Sequence, residues 1–427
     1  MSNRLDLAAE LTQHGYPQTV PRLRRRLRVL TFTRLFPNSV EPLHGIFVGQ
    51  RISALSRFCE LQVVAPVPWT PQTRAFGDRY FRYSQIRREE HQRYFTVQHP
   101  RFFVLPQILK STDGLLMAIS CLVALKAIRK SFPFDVIDAH WAYPDGVCAA
   151  ILANFFRVPL ALTVRGDDIN ILPKYFGRRH AIRWALRSAS LVIALSNELD
   201  EKTQSLAGIP IRTVVIPNGI DPETFYPGDR CKARHRLGIP LTDRVLLSVG
   251  RLHASKGYPL LVEAVAQLKT KHPAFRLVIV GGSDHEADSR PMIEGTARRL
   301  GISEKVQLLG AQPQSVLADW YRAADLFCLP TLREGSANVL VEALACGLPC
   351  ITTPVGGNPD LISSPDLGIL AAGDSGAFAA AISDGLARTW DRGSIARCVQ
   401  QRTWASVARE CYVQLEDIVN KSAGFNA

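Results

Sequence analysis

The chain of 427 residues is roughly three times the length of a modal domain, so two or three cores are expected, and fibres and disulfide-stapled miniature folds are excluded. Hydrophobic residues at 47% and charged residues at 21%, with Gly 29 and Pro 27 dispersed along the chain, exclude wholesale disorder. The net charge of +13 lies entirely in the first half, where residues 1–220 hold 29 Lys+Arg against 16 Asp+Glu, while residues 221–427 hold 22 of each.

A polyanion or an anionic membrane surface would therefore meet the first half. The chain opens without an apolar run and small-residue cleavage site, so no secretory signal is expected. The basic run Arg22–Arg26 reads as a solvated lead-in to the first strand. Short β-branched runs then recur at Leu27–Thr33, Leu61–Ala65, Phe134–Ala139, Leu160–Val164, Leu191–Leu195 and Arg212–Ile216. Helix-length segments separate them, which predicts a parallel sheet. The apolar stretches Leu115–Leu125 and Val147–Phe156 stop at Lys126 and Arg157, short of the roughly 18–20 residues that a spanning helix needs, so no membrane crossing is expected.

Turn formers and prolines crowd around Asn218 and Gly219, and a domain boundary is expected there, dividing the chain into 1–220 and 221–427. A second alternation runs through Arg244–Val249, Leu277–Val280, Val306–Leu309, Leu326–Leu329, Cys350–Thr352 and Leu367–Leu370. Two doubly wound α/β domains follow, with a last helix over Trp404–Val419 lying beyond the second sheet. Nine cysteines, an odd number without any C-x-x-C, suggest neither a disulfide framework nor a zinc ribbon and fit a reducing cytosol.

In open parallel sheets ligands sit beyond the carboxyl ends of the strands, so the loops there carry the functional signal. After Arg244–Val249 come Gly250, Arg251 and Lys256, a flexible loop where Arg251 can fork two phosphate oxygens and Lys256 can act as a point charge. A basic surface turn has the same composition. After Leu326–Leu329, the small residues Gly335, Ser336 and Ala337 lead through Asn338 into a helix, leaving backbone N–H groups free for an anion. Glu334 and Glu342 are out of place beside a phosphate but suit the paired hydroxyls of a sugar, because an ionised carboxylate only accepts hydrogen bonds. Two glutamates eight residues apart are equally compatible with a helix-dipole partner and an exposed helix residue. Gly356-Gly357 follows a further strand. Neither a Walker lysine motif nor G-x-G-x-x-G occurs, which speaks against an NTPase or a dehydrogenase.

Together VGRLHASKG, PTLREGSANVLVEALACGLPCI, VGGNPDLI and IPNGIDPETFYP resemble the retaining GT-B glycosyltransferases of the large group that includes sucrose-synthase-like and bacterial polysaccharide enzymes. The resemblance spans roughly residues 28–420 and is densest in the second half. It implies two Rossmann-like domains facing a central cleft, with residues 1–220 binding the acceptor and 221–427 the nucleotide-diphosphate sugar. The helix at 403–420 would cross back to the first domain. By position, Gly250, Arg251, Lys256 and Gly335–Asn338 would hold the donor, Glu342 would accept from the ribose hydroxyls and Glu334 would contact the donor sugar. Gly45, in FPNSVEPLHGIFV, belongs to the acceptor-side loop, which keeps one glycine where many relatives have two or three. TVRGDDIN matches a block that in many relatives reads His-Gly-x-Asp; Arg165 takes the histidine's place, which excludes a proton shuttle there, and Asp168 is kept. Arg165 could stabilise leaving phosphate charge, and His140 is the remaining catalytic candidate near the acceptor.

These residues read as a metal-independent, retaining glycosyltransferase without cofactor, acting on a glycan or lipid-linked glycan in cell-envelope polysaccharide synthesis. No Asp-x-Asp follows an apolar strand, so no metal site is expected. A nucleotide-sugar epimerase and a noncatalytic glycan- or nucleic-acid-binding module stay open as alternatives, although no motif with interleaved stacking aromatics points to nucleic acid. Seven arginines between Arg74 and Arg101, Arg82, Arg87 and Arg88 among them, interleave with aromatic residues ahead of Leu115–Leu125. That pattern suggests a peripheral position on the inner face of an anionic membrane.

Overall fold

A computed structural model describes residues 25–71, 78–104, 110–269, 274–282 and 288–424. Arg74 lies outside the described residues. The first sheet has eight strands in the order β10-β9-β8-β7-β1-β2-β5-β4. They are β1 Arg28–Phe32, β2 Glu60–Val64, β4 Glu89–His91, β5 Thr96–Gln98, β7 Val136–His140, β8 Leu160–Thr163, β9 Leu191–Ala194 and β10 Thr213–Val215. All pairs are parallel except β4 with β5. β3 (Val67–Trp69) and β6 (Arg101–Phe103) form a separate parallel pair. The second sheet, wholly parallel, runs β13-β12-β11-β14-β15-β16. Its strands are β11 Arg244–Val249, β12 Phe275–Val280, β13 Val306–Leu308, β14 Leu326–Leu329, β15 Cys350–Thr352 and β16 Gly368–Leu370.

The helices that bear on the site are α1 Ile46–Leu55, α2 Asp113–Ser131, α3 Val147–Phe156, α4 Phe176–Ser188, α5 Tyr258–Gln267, α6 Gln314–Ala323, α7 Asn338–Ala345 and α8 Trp404–Gly424. Strands such as LFCL of β14 and LVIA of β9 are buried at every residue, as expected when helices cover both faces of a parallel sheet. One face of the first sheet packs on α2, α3 and α4 through Met117, Leu125, Leu152, Ala153, Ile182 and Leu186. The other packs on α1 and on α8, whose Val407, Ala408, Cys411, Leu415 and Ile418 enter the same cluster as Val29, Ile52 and Val63. Burying a side chain of the Val, Leu or Ile type contributes ~1.5–3 kcal/mol, so α8 is held to the first domain although the chain reaches it from the second.

Two features differ from what the sequence suggests. The segment 60–103 holds the β4–β5 and β3–β6 pairs, whose strands of three residues are too short to show a period of two. The apolar stretch Leu115–Leu125 does not end at Lys126: α2 continues to Ser131, and Lys110–Ser131 is long and apolar enough by composition to cross a membrane. Met117, Cys121, Leu125 and Ile128 of α2 are core residues of the first domain.

The strand orders also position the site. Sequence direction reverses between β7 and β1 in the first sheet and between β11 and β14 in the second. Adjacent loops there diverge to opposite faces and open a crevice at the carboxyl ends.

Candidate active site at the domain cleft

The loops following β11 and β14 flank the second crevice and are tied to one another. Leu332 N–H and the Thr331 hydroxyl both donate to Ser255 O, at 2.8 and 3.0 Å. Gly257 makes this approach possible, since a Cβ there would stand 2.0 Å from the carbonyl oxygen of Pro330. Gly250 donates to Val280 O at 2.9 Å, and its own carbonyl accepts from the Tyr258 hydroxyl at 2.9 Å. Lys256 Nζ forms an ion pair with Glu334 Oε1, both side chains being largely buried. Arg251 stands exposed on the same loop.

Gly335 and Ser336 lead to Ala337, the N-cap of α7, and the N–H groups at this end have no partner within the helix. The Asn338 side chain accepts from Asn218 Nδ2 at 2.8 Å, so the interdomain segment is anchored to the start of α7. Glu342 is buried one turn further on and accepts from the Tyr321 hydroxyl at 2.9 Å. Burial pushes its carboxyl up to about 7, and the Tyr321 hydrogen bond opposes that shift.

The first domain meets these loops directly. A Cβ on Gly335 would lie 2.0 Å from the carbonyl oxygen of Arg165, and Gly357 sits beside Ser196. Arg333 Nε is 3.2 Å from Asp167 Oδ1. Asn197 donates from its backbone N–H and from Nδ2 to the Asp360 carboxylate, both at 3.0 Å. Sequence reasoning found neither polar contact, because each joins residues more than 160 positions apart and no local pattern marks the partners.

The structure gives Arg165, His140 and Asp168 more inward roles than the sequence suggests. His140 is fully buried, not open to the cleft. Its Nδ1 lies 2.9 Å from Arg165 Nη2 and its Nε2 3.2 Å from Asp138 Oδ2. A guanidinium only donates, so Nδ1 is the acceptor and the ring proton sits on Nε2, near Asp138 but not aligned for a hydrogen bond to it. Burial pushes His140 down to about 4, more than the Asp138 charge can offset, and the ring is neutral. Burial works against the Asp138 charge too, but His140, Arg51 and Arg165 together hold it below the usual carboxylate range. Arg165 is part-buried, its Nε enclosed and its guanidinium turned toward His140. Asp168, fully buried, accepts from the backbone N–H groups of Ala142, Arg165 and Gly166 at 2.8, 3.0 and 2.8 Å. It shapes the 165–168 loop instead of presenting a carboxylate to an acceptor.

Gly45 caps α1 in a left-handed conformation with φ 63 and packs against the backbone of Leu35 and Phe36. Beside this loop a cavity of about 160 Å³ is lined by Arg34, His44, Arg79, Tyr83, His99 and Trp141 among others. Arg34 is fixed by the buried Asp145, with Nε 3.1 Å from Oδ2. His44 Nε2 lies 3.1 Å from Arg34 O, and burial lowers its pKa. Trp141, directly after β7, takes φ 81, a strained value for a non-glycine residue that recurs at functional sites. Sequence reasoning named this loop but not Arg34, His44 or Trp141; the available signal was their position after β1 and β7, the strands where the order reverses. A larger cavity of about 550 Å³ borders Phe36, Tyr94, the 220–223 segment and Trp404, away from the donor-side loops.

Two Rossmann-like domains in contact across their carboxyl-edge loops, with cations and a helix N-terminus on one side, define a glycosyltransferase of the GT-B type. Residues 229–393 match the family described as glycosyl transferases group 1, and residues 61–224 match glycosyltransferase family 4. The chain is 31% identical over 336 residues to TuaC of Bacillus subtilis, named as a glycosyltransferase of teichuronic acid biosynthesis, covering 78% of this chain and 82% of that one. It is 38% identical over 222 residues to the D-inositol 3-phosphate glycosyltransferase of Segniliparus rotundus, covering 52% of this chain and 48% of that protein. The crystal structure of Anabaena HepE in complex with UDP and glucose superposes with a TM-score of 0.68 at 21% identity, covering 92% of this chain and 99% of the other. The chain belongs to the group 1 glycosyltransferase family.

Proposed function

We propose that the chain transfers a glycosyl group from a nucleoside diphosphate sugar to a hydroxyl of a glycan or lipid-linked glycan, with retention of configuration, without a metal ion, in cell-envelope polysaccharide synthesis. The observation that carries this reading is the β11/β14 crevice, where the loop bearing Arg251 and Lys256 is bonded to the loop that leads into the N-terminus of α7. Breaking the bond between the anomeric carbon and the phosphate oxygen leaves negative charge on the diphosphate. Cations and backbone N–H groups stabilise that charge, which is the role a metal ion would otherwise fill. The acceptor hydroxyl attacks the anomeric carbon and gives up its proton to the departing phosphate oxygen. Glu334, paired with Lys256, is assigned the donor sugar, and Glu342, buried against Tyr321, is assigned the ribose, which it would reach only by exchanging that hydrogen bond. The acceptor would enter from the β1/β7 side, past Arg34, His44 and Trp141.

TuaC supports the envelope assignment by its name, and the HepE complex supports a nucleotide-sugar donor. The first domain is assigned the acceptor and the second the donor, and the reaction is placed in the reducing cytosol, where nine unpaired cysteines are at home. Thermal-shift screening against UDP-, GDP- and ADP-sugars tests the reading, since ligand at 100 times its dissociation constant adds ~2.7 kcal/mol of stability. Stabilisation by one nucleotide series, followed by transfer to an added glycan, supports it. Turnover of the donor sugar to its epimer with no acceptor present would return the protein to the epimerase alternative.

A further inference from the structure

We propose that the outer faces of α2, α3 and α4 form one surface that docks the first domain on an anionic lipid bilayer. Six of the 18 large hydrophobic side chains that stand exposed among the described residues lie on these three helices, of 19, 10 and 13 residues. On α2 they are Leu115, Ile119 and Val123, spaced four apart and so on one stripe, with Val123 at 77% exposure. Phe155 on α3 and Phe176 and Trp184 on α4 continue the apolar surface, Phe176 being 80% exposed. The helices are neighbours: a Cβ on Gly177 at the start of α4 would touch Ser111, just before α2, and one on Gly114 of α2 would touch Val147 of α3.

Their charge is one-sided. Seven cations fall on α2 and α4, exposed Lys126, Lys130 and Arg179 among them, while Arg129, Arg183 and Arg187 also donate to the backbone carbonyls of Phe134, Leu206 and Ala207; the single acid is Asp113, the first residue of α2. Lys126 lies over the Phe155 ring at 5.1 Å, a cation directly beside exposed apolar surface. Apolar side chains that enter the headgroup boundary, ringed by cations that attract anionic lipid, are what interfacial binding requires. The cations of α2 and α4 flank the uncharged α3, and the apolar stripe of α2 stays bare between them, a charge pattern complementary to anionic lipid headgroups. Only a third of the most apolar window of Lys110–Ser131 is buried.

Among the described arginines of the run 79–101, several are engaged elsewhere, so the docking surface is assigned to α2, α3 and α4. Arg101 donates inward to Ile86 O, Arg79 lines the cavity beside His44, and Glu89 and Glu90 sit among the remaining arginines. The surface lies on the face of the first sheet opposite α1 and α8, which leaves the cleft open when the protein is docked.

Cosedimentation of the full chain with vesicles tests the proposal. Wild type is expected to bind phosphatidylglycerol-containing vesicles, to ignore pure phosphatidylcholine, and to be weakened strongly at about 1 M salt, where the screening length is ~3 Å. The pairs Ile119→Glu with Val123→Glu, and Lys126→Glu with Arg179→Glu, are each expected to lower vesicle affinity on the order of 100-fold. Phe176→Ser adds no charge and is expected to lower it roughly 10-fold. Arg87→Glu with Arg88→Glu is expected to bind as wild type. An unchanged melting temperature confirms that these exposed substitutions leave the fold intact. The proposal is overturned if wild type ignores anionic vesicles at low salt, if it self-associates through this face instead, or if the Ile119/Val123 pair and Phe176→Ser bind as wild type.

Discussion

Gly335 of the second domain lies directly against Arg165 of the first: a Cβ at 335 would stand 2.0 Å from the Arg165 carbonyl oxygen and 3.0 Å from the Cα of Gly166. Both obstacles are backbone, so a methyl group can be accommodated only if the two domains separate locally. Gly335→Ala is expected to leave the melting temperature nearly unchanged, because neither core is touched, and to lower kcat/KM at least ~10-fold by displacing the donor-side loop. Small-angle scattering should show a more open particle. Full activity with an unchanged particle would show that the contact has no part in catalysis.

The Lys256–Glu334 ion pair makes a second prediction that separates catalysis from stability. Lys256→Ala is expected to cost turnover roughly 100-fold or more. It should also cost ~1–3 kcal/mol of stability, because it strands a largely buried carboxylate. Adding Glu334→Ala should restore much of the stability but none of the turnover, a non-additivity readable in a double-mutant cycle. Near-normal rates in Lys256→Ala would remove Lys256 from the phosphate site.

Glu342 sets a pH dependence whose sign follows from its pKa, raised from 4.5 to about 7 by burial. The folded state holds this proton more tightly than the unfolded one, so its stabilising contribution is complete below pH 4.5 and is lost as pH rises to about 7. Relative to wild type, Glu342→Gln should gain up to roughly 3 kcal/mol at pH 8 and much less at pH 5, measured by denaturant unfolding. An equal difference at both pH values would show that the carboxyl is ionised throughout.

His140 should behave as a positioning residue. Its pKa of about 4 lies below the ordinary 6.5, so the unfolded chain binds the proton more readily, and stability falls as pH drops from 6.5 toward 4. His140→Asn keeps an acceptor for Arg165 and is expected to retain most activity while flattening that slope. His140→Leu leaves the Arg165 donor without its buried acceptor and should cost ~1–3 kcal/mol. If His140→Asn abolished turnover while leaving the melting temperature intact, a direct chemical role would have to be restored to the histidine.

Activity is expected to survive EDTA, and the product linkage to keep the donor's anomeric configuration. Loss of activity that added Mg²⁺ restores would show that Arg251, Lys256 and the α7 terminus do not suffice. An inverted linkage, read by NMR of the product, would overturn retention.

The sequence by itself determined the two parallel sheets and the donor-side loops. Strands such as Leu326–Leu329 are continuous apolar runs because helices bury both their faces, and Gly250–Lys256 and Glu334–Glu342 are local segments whose spacing survives in the linear chain. The β3–β6 and β4–β5 pairs escaped because strands of three residues carry no period. Only the tertiary structure decided which way side chains face. His140 ends β7 and Asp168 follows β8 at the cleft, yet Arg165 and three backbone N–H groups draw them inward, because a buried polar group must find its partners. The contacts Gly335–Arg165, Arg333–Asp167 and Asn197–Asp360 join residues far apart in sequence. So does the surface assembled from α2, α3 and α4, since helix packing on one sheet face brings together stripes that are unrelated along the chain.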